Sequence, residues 1–290
     1  MAESTSRVIQ YGWDKERFLQ DLPPPVRRYI YRGKEQFNEI LDQNMSRHSK
    51  YNPEDGVDFT QYIVFLIDPP SFERECLDQE SSHIAHPRLD YNYNTHILIV
   101  KMANTPEHQQ VITGFASALR KCLQPMRIDL DDDGHIFQGV DIDVNEQSQK
   151  RPDWGWTPRK SSLKRPTIVL EVGISEPETK LRKDARMWVD PSRGQAQVAI
   201  TIKLNRSRSE LKLDMWQWRD SRAQVTKHIV ITQAGSQTNV SDHPLVIPFA
   251  SVFKRDPESF LQSNETNIEI DKQALVKIAT HAWQRQQQGF

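Results

Sequence analysis

The stretch PTIVLEVGI, Pro166 to Ile174, constrains this chain more than any other. It is almost continuously apolar and rich in β-branched residues, the pattern of a strand buried on both faces. The residues after it set the direction of the chain. Ser175-Glu176-Pro177-Glu178 has the Ser-x-x-Glu spacing of a capping box, with proline in the first turn, and predicts a helix from about Glu176 to Val189. Leu181, Ala185 and Trp188 give that helix an apolar stripe, and Asp190-Pro191-Ser192-Arg193-Gly194 ends it. QVAITIKL then reads as a second strand. Strand, helix and strand in this order predict a right-handed crossover that sets Thr167–Val172 and Val198–Leu204 side by side and parallel.

Other segments extend the same α/β pattern. YIVFLI, ended by Asp68-Pro69-Pro70, and HILIVKM read as strands. A helix opens near Pro106, with Val111, Phe115, Ala118, Leu119 and Cys122 as its stripe, and another near Asp271, with Leu275, Ile278, Ala279, Ala282 and Trp283 on one face. MRIDLDDDGHIFQGVDIDV suggests two strands around an Asp-Gly turn, and Leu211–Trp218 with His228–Thr232 suggests a hairpin. Residues 1–60 differ. Asp14–Gln20 is a short helical candidate, DLPPP a break, and Ile30, Phe37, Ile40 and Leu41 have helix-like spacing interrupted by Gly33. The reading is an N-terminal helical extension over 1–60 and one α/β domain over 61–290.

Composition removes several classes of function. No run approaches the ~20 apolar residues of a membrane span, and MAESTSRVIQYGWDKERF lacks the apolar core of a signal peptide, which predicts an intracellular protein of nucleus or cytoplasm, neither secreted nor in a membrane. Cys76 and Cys122 stand outside any Cys-x-x-Cys pair, against a cysteine zinc site or a disulfide framework. Asp129-Leu-Asp131-Asp-Asp133-Gly134 opens like a calcium loop, but its twelfth position is Val140 where a bidentate Glu belongs. No phosphate-cradling glycine loop and no Gly-x-Ser-x-Gly elbow can be written on the chain. Net charge is −1, yet the charges are segregated: residues 150–212 hold fifteen Lys and Arg against seven acids, and Asp129–Glu146 holds seven acids and no base. Such a basic segment either meets a polyanion or balances the acids within the molecule.

Two carboxylates call for a reason. Glu171 lies inside the buried strand, where an ionised group without compensation is expensive. Asp153, in Arg151-Pro152-Asp153-Trp154, lies eighteen residues upstream and could return to the same sheet edge. Two carboxylates holding a divalent cation, with a lysine nearby, are what phosphodiester hydrolysis requires. A turn aspartate and a glutamate on a solvated edge strand would account for the same residues.

RPDWGW followed by RPTIVLEVGISEPETKLRKDARMWV resembles the core of the PD-(D/E)xK nuclease-like superfamily, in particular its fungal and Uma2-type members. The specific likeness spans Arg151 to Leu204; a looser one extends to HILIVKMANTPEHQQ, with Glu107 at a helix start. The resemblance implies a restriction-endonuclease-like α/β core with a central mixed sheet between helices, Mg²⁺ as cofactor and DNA as substrate. Asp153 would match the family's aspartate and Glu171 its glutamate, both as metal ligands. The lysine expected two residues past the glutamate is Gly173 here, which leaves Lys180, in the following helix, or Lys203, on the next strand, to complete the site. Three readings stand: a Mg²⁺-dependent nuclease acting on DNA, a catalytically silent relative that binds nucleic acid, and a protein-interaction module presenting Trp154 and Trp156.

Overall fold

The computed structural model describes residues 19–20, 22, 26–49, 62–77, 88–101, 105–138, 140–145, 148–159, 164–174, 177–205, 208–257 and 264–287. In chain order its elements begin with β1 (Arg27–Ile30), α1 (Lys34–Ser49), β2 (Tyr62–Leu66), α2 (Pro69–Phe72), β3 (Arg88–Asn92), β4 (Ile97–Lys101) and α3 (Pro106–Leu123). There follow β5 (Gly134–Ile136), β6 (Ile142–Asn145), β7 (Ser148–Lys150), β8 (Trp154–Pro158), β9 (Ile168–Gly173), α4 (Glu178–Val189) and β10 (Val198–Leu204). The chain closes with β11 (Glu210–Arg219), β12 (Arg222–Ala234), β13 (Gln237–Val240), β14 (Leu245–Ile247), α5 (Phe249–Phe253), β15 (Ile268–Ile270) and α6 (Lys272–Gln287). This is the mixed α/β class expected. The elements gather into two compact units, one drawn from residues 1–103 and 143–151, the other from 104–142 and 152–289.

The first unit is built on a six-stranded sheet in the order β1-β2-β4-β3-β7-β6. Alternation along its strands sorts the apolar side chains to two faces. Ile63, Phe65, Leu89, Tyr91, Leu98 and Val100 meet Phe37, Ile40 and Leu41 of α1 on one face, while Tyr62, Val64, Ile97 and Ile99 meet Leu19, Leu22 and Val26 on the other. The helix-like spacing read from Ile30 onward is corrected at its start. Arg27–Ile30 is a strand paired parallel with β2, and Gly33, at φ 122°, is the joint where strand gives way to helix. β1 and α1 therefore share a sheet and a core with β2 to β4, across the division expected at residue 60. The Asp14–Gln20 candidate lies almost wholly outside the described residues.

The second unit carries a seven-stranded sheet in the order β13-β12-β11-β10-β9-β8-β5. Its centre is the expected strand–helix–strand: β9 and β10 run parallel, Ile168 opposite Val198 and Leu170 opposite Ile200, and α4 connects them. Ile168, Leu170 and Val172 share one core with Ile200, Ile202, Leu213, Met215 and Ile229, and with Val111 and Phe115 of α3 and Ile278 and Trp283 of α6. α4 lies against the opposite face, burying Leu181, Ala185 and Trp188. Helix α4 starts at Glu178, with Pro177 as N-cap and no side-chain cap bond, so the expected capping box is not what starts it. Ser175 itself lies outside the described residues.

Two other expectations change. β5 and β6 are not a hairpin, since β5 pairs with β8 while β6 belongs to the first unit's sheet. The acidic turn before β5 closes on itself: Asp129 Oδ1 accepts from the N–H of Asp131 and Asp132 at 2.8 and 3.0 Å, and Asp133 Oδ2 accepts from Asp129 N–H at 2.8 Å. The two bonds that Asp129 accepts hold its carboxyl below the ordinary pKa. Trp154 and Trp156, expected as a contact surface, are 2% and 0% exposed and pack in the second unit's core. Trp156 Nε1 donates to Leu130 O at 2.7 Å. The β11–β12 hairpin is present as expected.

Candidate active site

The antiparallel ladder between β8 and β9 sets Trp154 opposite Leu170 and Gly155 opposite Val169. One residue further, Asp153 stands opposite Glu171. Its Oδ2 accepts the Val172 N–H at 2.7 Å, so a side chain continues the ladder where the backbone pairing stops. Trp154 and Leu170 belong to the core, and their neighbours in sequence therefore belong to the α4 face of the sheet. Glu171, with no exposed surface, confirms this by accepting the indole N–H of Trp188 at 2.5 Å. Each group answers the other's need. A tryptophan on a buried helix stripe must find an acceptor, and a buried carboxylate must find donors.

The lysines separate. Thr201 is the residue opposite Glu171, and Lys203 is opposite Gly173. Lys203 thus stands one pair beyond Glu171 rather than level with it, on the same face. Its Nζ donates to Ile174 O at 2.7 Å, which carries the side chain from β10 across β9 at the residue that has none of its own. The lysine expected at position 173 is replaced in space by one from the neighbouring strand. Lys180 is engaged by its own helix, with Nζ 2.6 Å from Asp184 Oδ1 one turn on, both residues buried. Lys180, Asp184 and Trp188 follow one another at intervals of four along the edge of α4 whose last member reaches Glu171.

His108 escaped the sequence reading. It sits in the first turn of α3, whose N-cap Thr105 accepts the His108 N–H at 3.4 Å. Its Nε2 lies 3.1 Å from Val172 O and 3.3 Å from Asp153 Oδ2, and the residue is 2% exposed. Nothing local marks it, because its partners lie 45 and 64 residues away in sequence. Glu107, noted beside it, is also buried.

Asp153 and Glu171 offer the hard oxygen donors that suit Mg²⁺. Among the described residues, no group of three or more His, Cys, Asp or Glu is arranged to hold a metal ion, so the pair fits in donor type and supplies two ligands at most. The basic residues expected to crowd this end of the sheet are divided among several places. Arg159, at the close of β8, and Lys164, Arg165 and Arg193, which precede β9 and β10, lie at the other end of these strands. Arg182 pairs with Glu178 at 2.5 Å, Arg186 stacks 5.9 Å from the Trp216 ring centre, and Lys212 is 3.9 Å from Glu210. Among the described residues of β8, β9 and β10, Lys203 is the one that brings a positive charge to the Gly173 end.

No family model matches the sequence, and no curated protein matches it. Among solved structures, a DUF820 protein from Anabaena variabilis, to which nuclease activity has been ascribed, is similar at a TM-score of 0.36 and 12% identity, over 72% of this chain and 97% of that one. The site's residue roles rest on the geometry of this chain. No helix among the described residues is long and apolar enough to cross a membrane.

Proposed function

We propose that this protein is a restriction-endonuclease-like, divalent-metal-dependent nuclease acting on DNA. Asp153 and Glu171 hold Mg²⁺, and Lys203 is the cation facing the scissile phosphate. The observation that carries the proposal is the register of three strands. Asp153 lies opposite Glu171, and Lys203 lies opposite Gly173 with its amine drawn across β9. When bound, the metal supplies Lewis-acid polarisation of the phosphate and a water of lowered pKa. The protein's own part is to fix the acids by bonds outside the reaction, from Val172 N–H to Asp153 and from Trp188 Nε1–H to Glu171, and to hold a positive charge two residues along the strand. Lys203 would stabilise charge growing on the phosphoryl oxygens, work that Lys180 cannot share while it neutralises Asp184.

A second reading, a silent relative of such enzymes that binds nucleic acid, is favoured by one observation. Glu171 is wholly buried and held by an indole N–H. Incubating the folded full-length chain with supercoiled and linear DNA, in Mg²⁺ or Mn²⁺, separates the two. Under the nuclease reading the wild type cuts, Asp153→Ala and Glu171→Ala do not, and Lys203→Ala loses on the order of 10²–10³ in rate. A folded wild type that cuts neither substrate with either metal leaves the silent reading in its place. DNA affinity that falls with salt, by about 0.9 in log–log slope per phosphate contacted, would then support nucleic-acid binding.

A further inference from the structure

We propose that His108 occupies the cation's place beside Asp153, so that the site as folded is closed to metal until this side chain withdraws. The inference rests on the reading of Asp153 as a metal ligand, and it deepens that reading by naming what regulates loading.

The argument starts from three atoms. His108 Nε2 is 3.1 Å from Val172 O and 3.3 Å from Asp153 Oδ2. A backbone carbonyl only accepts hydrogen bonds, and Oδ2 already accepts one from Val172 N–H at 2.7 Å. Both neighbours of Nε2 are therefore acceptors, and the nitrogen must carry hydrogen in either charge state of the ring. A protonated nitrogen has no lone pair to give a metal. His108 is thus a competitor for these oxygens and not a ligand through Nε2.

The same two oxygens, one carboxylate and one carbonyl, are donors a hard divalent cation would take at about 2.0–2.1 Å. The N–H and the cation seek the same lone pairs and repel each other. Burial gives the arrangement its persistence, since His108 is 2% and Asp153 5% exposed and solvent screens their contact little. His108 Nδ1 is also buried without a hydrogen-bond partner. The ring therefore has one side committed to Val172 and Asp153 and none tied down on the other. Little besides the Nε2 contacts resists its rotation away from the acids.

Mn²⁺ binding to the full-length protein, measured by calorimetry without DNA, tests this. His108→Ala removes the competing N–H and is expected to bind Mn²⁺ at least tenfold more tightly than the wild type. His108→Gln, which keeps an N–H donor at similar reach, is expected to stay within about threefold of it. Asp153→Ala in the His108→Ala background should abolish the gain. Equal or weaker Mn²⁺ binding by a folded His108→Ala overturns the proposal. Should that variant fail to fold, histidine ¹⁵N NMR of the wild type decides: saturating Mg²⁺ must change the His108 Nε2 resonance, and an unchanged resonance overturns the proposal. Cleavage is read separately. Tight Mn²⁺ binding by His108→Ala with no DNA cut by any form keeps this inference and removes the nuclease reading. Cleavage by a wild type whose Mn²⁺ affinity is indifferent to His108 does the reverse.

Discussion

At the scale of single residues, the site is a set of buried polar groups that satisfy one another, and its energetics depend on which partner is left behind. Trp188→Phe keeps the ring's packing and removes the indole N–H from Glu171. A hydrogen bond to a buried charged group is worth about 1.5–3 kcal/mol, and urea denaturation of the variant should show a loss of that size. Lys180→Met leaves Asp184 buried beside its former partner, and half of a buried pair costs about 3–5 kcal/mol. Lys203→Met removes one donor from Ile174 O, a loss of about 1–3 kcal/mol. The order reverses in cleavage, where Lys203→Met should be the more damaging once both proteins are shown to be folded. Glu171 and Asp153 could be read from the sequence because a charge inside an apolar strand is conspicuous. Their donors could not. Trp188 reads as one more apolar member of a helix stripe, although a buried indole and a buried carboxylate on adjacent elements are a pairing that sequence reasoning can look for.

At the scale of elements, strand register decides what the motif means. The central strand–helix–strand was legible because β9 and β10 are apolar on both faces and α4 has a clear stripe. β1 and β3 were not, because four or five residues of mixed polarity, RRYI and RLDYN, become strands only by pairing with neighbours. The parallel pairing could be inferred, but its register could not, and one pair of offset separates Lys203 level with Glu171 from Lys203 level with Gly173. The connection after α4 is equally tight. A Cβ on Gly194 would lie 2.4 Å from Trp188 O and 2.5 Å from Trp188 Cα, backbone atoms that cannot turn aside. Gly194→Ala should destabilise by at least the upper end of about 1–3 kcal/mol and disturb the indole that holds Glu171. Thermal unfolding measures the first effect. Tryptophan fluorescence, compared with that of Trp188→Phe, reports the second.

At the scale of the whole molecule, the two units respond to different conditions. Tyr31, in the first, has its hydroxyl pKa pushed up to about 12 from 10.0, chiefly by burial and next by the negative charge of Glu75. A raised pKa means the folded state keeps the proton longer than the unfolded chain. This contribution to stability is complete below pH 10 and is lost as pH rises from there through about 12. Tyr31→Phe should therefore flatten the alkaline limb of a stability–pH profile and leave the neutral region with a smaller change, as urea midpoints across that range would show. Charge was the least legible feature at this scale. A surplus of basic residues over 150–212 predicts a patch only if the fold brings them together, and here the turns before β9 and β10 send Arg165 and Arg193 to the far end of the strands.

The path of the chain between the units has a consequence for how the protein is made. Residues 143–151 belong to the first unit although they are flanked by the second, and β7 completes the early sheet by pairing with β3, Ser148 opposite Asn92. A ribosome that has delivered residues 1–103 has therefore released a sheet whose β3 edge is still bare, and it stays bare through the synthesis of α3 and β5. Bare strand edges are templates for other chains. The interval ends when β7 emerges, three residues before Asp153, so the amino-terminal sheet is sealed just as the first acid of the site leaves the tunnel.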